Sequence, residues 1–156
     1  MVSQKNKLFQ KHSNLHFFFS FILQKFLSQF MKKGKKALAE KILKNIFIKI
    51  SLKGYSPVEV VTLAINNVKP FVEVRNIRLK GKSFFVPFPL QLSRQVSLSL
   101  KTILRVSHSQ GKKKIENLLV TELINSSFNQ GQSVKVTLAL HKLAIQNRLF
   151  INYRWF

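Results

Sequence analysis

The stretch that most narrows what this chain can fold into runs from Asn67 to Pro89 and reads N-V-K-P-F-V-E-V-R-N-I-R-L-K-G-K-S-F-F-V-P-F-P. The residue before a proline is driven out of the helical region, so Lys69-Pro70 ends whatever element precedes it. Two runs rich in β-branched and aromatic residues follow, Val72 to Leu79 and Ser83 to Phe88, separated by Lys80-Gly81-Lys82. Gly81 accepts the positive φ that a tight hairpin turn demands. With Lys80 and Gly81 as turn residues, Leu79 pairs with Lys82, Ile77 with Phe84 and Arg75 with Val86. Arg75, Arg78, Lys80 and Lys82 then crowd the distal half, and Glu73 is the sole acid on the arm. Cations this dense are most stable against a polyanion. The alternative is a solvated hairpin whose lysines guard a strand edge.

Charge favours the polyanion. The 156 residues include 27 Lys and Arg against 5 acids, all Glu, for a formal charge of +22. Such an excess repels itself in isolation and is expected of a chain held on nucleic acid or an anionic surface. Basic residues run from Lys5 to Arg154, which points to a protein embedded in its partner. An apolar fraction of 46% supports a genuine core and excludes a wholly disordered chain. Cysteine is absent, so no disulfide framework, thiolate metal site or cysteine nucleophile exists. His12, His16, His108 and His141 match no metal-ligand spacing, and neither a metal nor a cofactor is expected. Carboxylates are too sparse for acid–base pairs, and no phosphate-binding loop or nucleophile elbow occurs, so the chain does not read as an enzyme.

Read in order, residues 1–14 form a basic lead-in expected to be a flexible arm. Phe19, Ile22, Leu23, Phe26 and Phe30 recur at helical spacing, giving a first helix between Leu15 and Phe30. The apolar run is too short to span a bilayer, which takes about 20 residues. An organelle-import presequence is an alternative reading of the same segment. Met31 to Lys36 is a basic linker with a glycine hinge. A second helix follows, with Leu38, Ala39, Ile42, Leu43, Ile46 and Ile50 as its buried stripe. Ser56-Pro57-Val58-Glu59 combines a capping residue, a first-turn proline and an S-x-x-E box at the start of a third helix. Val60, Val61, Ala64, Ile65 and Val68 are its apolar face.

Between Leu92 and Gln110 two patterns compete. Val96, Leu98 and Leu100 alternate as in a strand, whereas Val96, Leu100, Ile103 and Leu104 fit a helix; the length without a turn residue favours the helix, with Gly111 as terminator. Lys112, Lys113 and Lys114 connect to a fifth helix marked by Ile115, Leu118, Leu119 and Leu123. Ser133 is expected to cap a sixth helix that carries apolar positions as far as Tyr153, with His141 a hydrogen-bonded structural residue. Tyr153-Arg154-Trp155-Phe156 supplies side chains able to stack on bases or pack on a neighbour. The fold class is thus mainly α, one domain over 15–156 of about six helices with a hairpin at 71–89 between the third and fourth.

Three blocks resemble the small-subunit ribosomal protein seven family. Gly34-Lys35-Lys36-Ala37-Leu38-Ala39 looks like its D-G-K-K-S-x-A entry to the second helix. Asn67 to Pro87 is similar to its N-V-R-P-x-V-E-V-K-x-R-R-V-G-G-x-x-Y-Q-V-P hairpin. His141 to Trp155 is similar to its H-R-M-A-E-A-N-K-A-F-A-H-Y-R-W ending. The chain departs from the pattern on the fourth helix, where a basic R-x-x-R-R start gives way to Gln91, Arg94 and Gln95 and an Arg-Trp pair to Lys101-Thr102. It departs again where a charged K-K-R-E-D run becomes Lys135-Val136-Thr137-Leu138-Ala139.

The resemblance implies a protein that seats on the 3′ major (head) domain of small-subunit rRNA, nucleates head assembly and holds its hairpin near the exit-site tRNA. Neighbouring head and platform ribosomal proteins are the other implied partners, and no membrane. The residues expected to meet RNA are Lys32, Lys33, Lys35 and Lys36 in the linker and Arg75, Arg78, Lys80 and Lys82 on the hairpin. Arg94, Lys101, Lys112, Lys113, Lys114, Lys135, Lys142, Arg148, Arg154 and Trp155 complete the set. Abundant Phe, Lys, Ile and Asn associate the chain with an organelle-encoded member, mitochondrial before plastid. The competing classes are a basic peripheral membrane protein anchored by its aromatic first helix and a DNA-compacting protein.

Overall fold

The computed structural model describes residues 20–110 and 114–154. Among them the chain forms helix α1 over 20–30, α2 (Lys36–Leu52), α3 (Pro57–Val68), strands β1 (Val72–Leu79) and β2 (Lys82–Pro89), α4 (Leu92–Ser109), α5 (Ile115–Ser127), α6 (Gln132–Gln146) and a terminal 3-10 helix (Arg148–Tyr153). Two antiparallel strands make up the sheet, set between α3 and α4. The arm at 1–14, Phe19, the Gly111 terminator, Lys112, Lys113 and the final Trp155-Phe156 lie outside the described residues.

Helix α3 is central because one face of it is wholly apolar. Val60, Val61, Ala64, Ile65 and Val68 are all buried, and they meet Leu119 and Leu123 of α5, Val96 and Leu100 of α4, and Ile46 and Ile50 of α2 in a single core. Ile22 and Phe26 of α1 are fully buried in that core, which removes them as a membrane anchor. No helix among the described residues is long and apolar enough to cross a membrane. The ambiguous stretch after the hairpin is helical, with Val96, Leu100, Ile103 and Leu104 buried at helical spacing.

The N-V-K-P block acts as a junction tied to α5 and α6 by hydrogen bonds. Lys69 is extended ahead of Pro70 and ends α3, as expected. Asn67 Nδ2 donates to the carbonyls of Ser126 and Ser127 at 3.0 Å each, satisfying the open end of α5. Val68 O accepts from Thr137 Oγ1 of α6 at 2.9 Å, and Phe71 N–H donates to His141 Nε2 at 3.3 Å. The hairpin therefore leaves the body from a base fixed by α5 and α6, and His141 is the hydrogen-bonded structural residue expected.

Four expectations need correction. Leu38 is 57% exposed, because α2 turns that edge of its stripe toward an open groove while Ala39, Leu43, Ile46 and Ile50 fill the core. Ser56 occupies the cap position of α3, but its side chain makes no capping hydrogen bond. Ser133 is not the cap of α6, since Gly131 holds that position and the helix starts at Gln132. The capping role falls to Glu122 of α5, whose Oε1 accepts from both Ser133 N and Ser133 Oγ at 2.7 Å. Helix α6 also stops at Gln146, so Phe150 and Tyr153 belong to the separate 3-10 turn.

Candidate nucleic-acid interface

The hairpin has the register read from its turn: Leu79 opposite Lys82, Ile77 opposite Phe84 and Arg75 opposite Val86. Lys80 and Gly81 both take positive φ, +47° and +80°, the pairing a two-residue hairpin turn requires. For Lys80 that conformation costs roughly 1 kcal/mol, which glycine would avoid. Ile77 is buried and Phe84 half-buried, and past them Arg78, Lys80 and Lys82 are exposed. The tip projects about 10 Å beyond this pair, three residues at a strand's rise. None of these three cations has an acidic partner among the described residues.

Arg75 differs from the tip. Alternation of side chains along β1 puts it on the opposite face from Arg78, where it lies 3.5 Å from Glu73 and 5.0 Å over the ring of Phe88. Arg94 donates to the same Glu73 at 3.2 Å, and Arg154 sits 5.8 Å over Phe88. Arg75, Arg94 and Arg154 thus converge at the hairpin base, two sharing one carboxylate and two sharing one ring. Phe84 packs against Phe150 and Tyr153, with centroids 5.1 and 5.3 Å away. Tyr153 packs against the hairpin while remaining 43% exposed.

The second concentration of cations comes from the linker. Lys33 and Gly34 take positive φ, +53° and +72°, and turn the chain from α1 into α2. This turn brings Lys32 and Lys35 to a groove of about 470 Å³ whose opposite wall is α4, carrying Lys101, Arg105 and His108. Phe30, Leu38, Ala39, Ile42 and Leu104 give the groove an apolar floor. Arg105 was absent from the residues expected to meet RNA, although it stands four residues after Lys101 and so on the same helix face. No acid faces these cations among the described residues. Lys33 is exposed beside the groove, and Lys36 is bound to Glu40 at 3.8 Å on the surface.

The remaining expected contacts scatter. Lys114 is exposed at the start of α5, and Lys135 and Lys142 lie one above the other on the outside of α6, with Arg148 exposed beyond it. Glu116 is already occupied: hydrogen bonds from Lys49, then from Asn45, hold its carboxyl below the ordinary carboxylate value, against a smaller opposing effect of burial. Glu40, Glu73 and Glu116 are each paired with a cation, Glu122 is buried among neutral donors, and Glu59 has no ion pair among the described residues. The groups of His, Asp and Glu that a metal ion would need are likewise missing among the described residues.

Comparison with known proteins places the chain in a family. Residues 2–148 match the family described as ribosomal protein S7p/S5e. The small ribosomal subunit protein uS7m of Reclinomonas americana is 32% identical over 158 aligned residues, covering 99% of both chains. The small ribosomal subunit protein uS7 of Syntrophus aciditrophicus is 36% identical over 135 residues, and that of Bordetella petrii 36% over 134, covering 85–86% of each chain. Matched along nearly its whole length, this chain belongs to the S7p/S5e family of small-subunit ribosomal proteins.

Proposed function

We propose that the protein is a structural constituent of a mitochondrial small ribosomal subunit, organelle-encoded, that binds the head domain of the rRNA and helps nucleate its assembly. The observation carrying this reading is the groove where Lys32, Lys35, Lys101 and Arg105 meet without an acid, over an apolar floor. Four cations held together gain little from the protein itself and much from phosphates, whose neutralisation releases counterions. The whole-length likeness to a mitochondrial relative supports the compartment.

The tip has a separate role, contact with the exit-site tRNA. Arg78, Lys80 and Lys82 lie past the last packed pair of the hairpin and add nothing to the core. Lys80 keeps a strained backbone that glycine would relieve, which favours a use for its charge. Replacing these three by Ser should leave stability and subunit incorporation intact and reduce tRNA retention at the exit site. Replacing Lys32, Lys35, Lys101 and Arg105 by Ser should impair incorporation and flatten the slope of log affinity for head-domain rRNA against log salt by about three. Normal exit-site occupancy in the tip variant, or an unchanged salt slope in the groove variant, would overturn the respective half of the reading.

A further inference from the structure

We infer that the flank of α6 beside the hairpin base is a protein-docking face, built to take an apolar side chain from a neighbouring polypeptide whose flanking residues are acidic. The inference rests on the small-subunit reading above and adds the face and its partner's chemistry.

Phe71, Leu138 and Ile145 are 61%, 54% and 65% exposed. They form one surface. Leu138 and Ile145 are two helical turns apart on α6, and His141 between them stacks on Phe71 with centroids 6.0 Å apart. Phe71, Leu138 and His141 also line a hollow of about 350 Å³ over Val134 and Thr137, roomy enough for an inserted side chain. Leu138 and Ile145 offer nothing to phosphates and, unlike Phe71, do not stack on bases, so the aliphatic part of the face favours a protein as its occupant.

Charge then selects among proteins. From Gln132 to Arg154 the chain carries Lys135, Lys142, Arg148 and Arg154 and no acid, and Lys69 lines the same hollow. A second copy of this chain would bring the same cations against them, so self-association is opposed. A partner that seats an apolar residue in the hollow and sets Asp or Glu against Lys69 and Lys142 satisfies both halves of the surface.

The chain has no cysteine, so Gln146→Cys, at the rim beside Ile145, gives a unique attachment point for a benzophenone maleimide. The labelled full chain is assembled into small subunits, isolated by sedimentation and irradiated, and the cross-linked product is sequenced. The expected product is a protein peptide with an apolar residue close to Asp or Glu. Leu138→Glu with Ile145→Glu should lower its yield at least tenfold while the protein still sediments with small subunits. If that pair blocks assembly, Ile145→Gln alone should show a clear loss of yield. Cross-links to rRNA, to a second copy of the chain or to a protein segment without acids would overturn the inference, as would no cross-link or an undiminished yield in the variants. Failure of the unlabelled wild-type chain to enter small subunits would instead show up in the sedimentation step and bring down the ribosomal reading, and this one with it.

Discussion

Gly131→Ala should be among the more damaging single-methyl changes in this protein, although the backbone there, at φ −68° and ψ 154°, suits any residue. The damage is steric. A Cβ on Gly131 would lie 2.4 Å from Ser126 Oγ, 2.8 Å from Glu122 Oε1 and 3.1 Å from Ser126 N. Glu122 is 2% exposed and accepts from Ser133 N, Ser133 Oγ and Gln110 Nε2, so its carboxylate cannot withdraw without leaving buried donors unpaired. Overpacking costs typically 1–3 kcal/mol, and a weakened hydrogen bond to a charged group adds about 1.5 kcal/mol; together roughly 3 kcal/mol is expected. With a urea dependence of about 2 kcal/mol per molar, the unfolding midpoint should fall by about 1.5 M. Repeating the change in a Ser126→Ala background removes the nearest atom, and the two substitutions should then couple by about 1 kcal/mol. A midpoint shift under about 0.3 M, or strict additivity in the cycle, would refute the idea that the Glu122 cage fixes the α5–α6 corner.

Three further outcomes follow from the same structure. Ser56→Ala should cost only a few tenths of a kcal/mol, below the ~1 kcal/mol of a working cap, because the hydroxyl makes no capping bond; a denaturation midpoint lowered by the full amount would show that the cap forms in solution. Since the folded carboxyl of Glu116 titrates below its ordinary value, its contribution to stability is present above that value and is lost as pH falls through the folded one. Urea midpoints measured from pH 6 down to pH 3 should therefore drop less steeply in Lys49→Met than in wild type, and parallel curves would contradict the pairing. Lys80→Gly should raise stability by roughly 0.5–1 kcal/mol by relieving the left-handed backbone, checked by the same denaturation assay; no gain would mean the turn carries no strain.

The parts legible in the sequence were those where one local signal fixes geometry. Turn residues and alternation gave the hairpin register, since Lys80-Gly81 admits only one pairing of Ile77 and Phe84. An unbroken apolar face marked α3 as central. What was hidden depended on residues distant in sequence. Glu122 caps α6 from 11 residues upstream, and its role shows only once α5 and α6 fold back on each other. Leu38 has the spacing of a core residue but faces a groove whose far wall, Lys101 to His108 of α4, lies more than sixty residues later. Arg105 joins Lys32 only across that groove, though its spacing from Lys101 was available. Charge read along the arm groups Arg75 with the distal cations, whereas strand alternation turns it toward Glu73 and Phe88.

Membership of a ribosomal family predicts where this chain resides, and sedimentation tests that most directly. Epitope-tagged protein from lysed mitochondria should travel with the small subunit on a sucrose gradient at moderate salt and leave it only when salt is raised far enough to strip phosphate contacts. Recovery at the top of the gradient at moderate salt, or with membranes or DNA in place of the small-subunit rRNA, would contradict it.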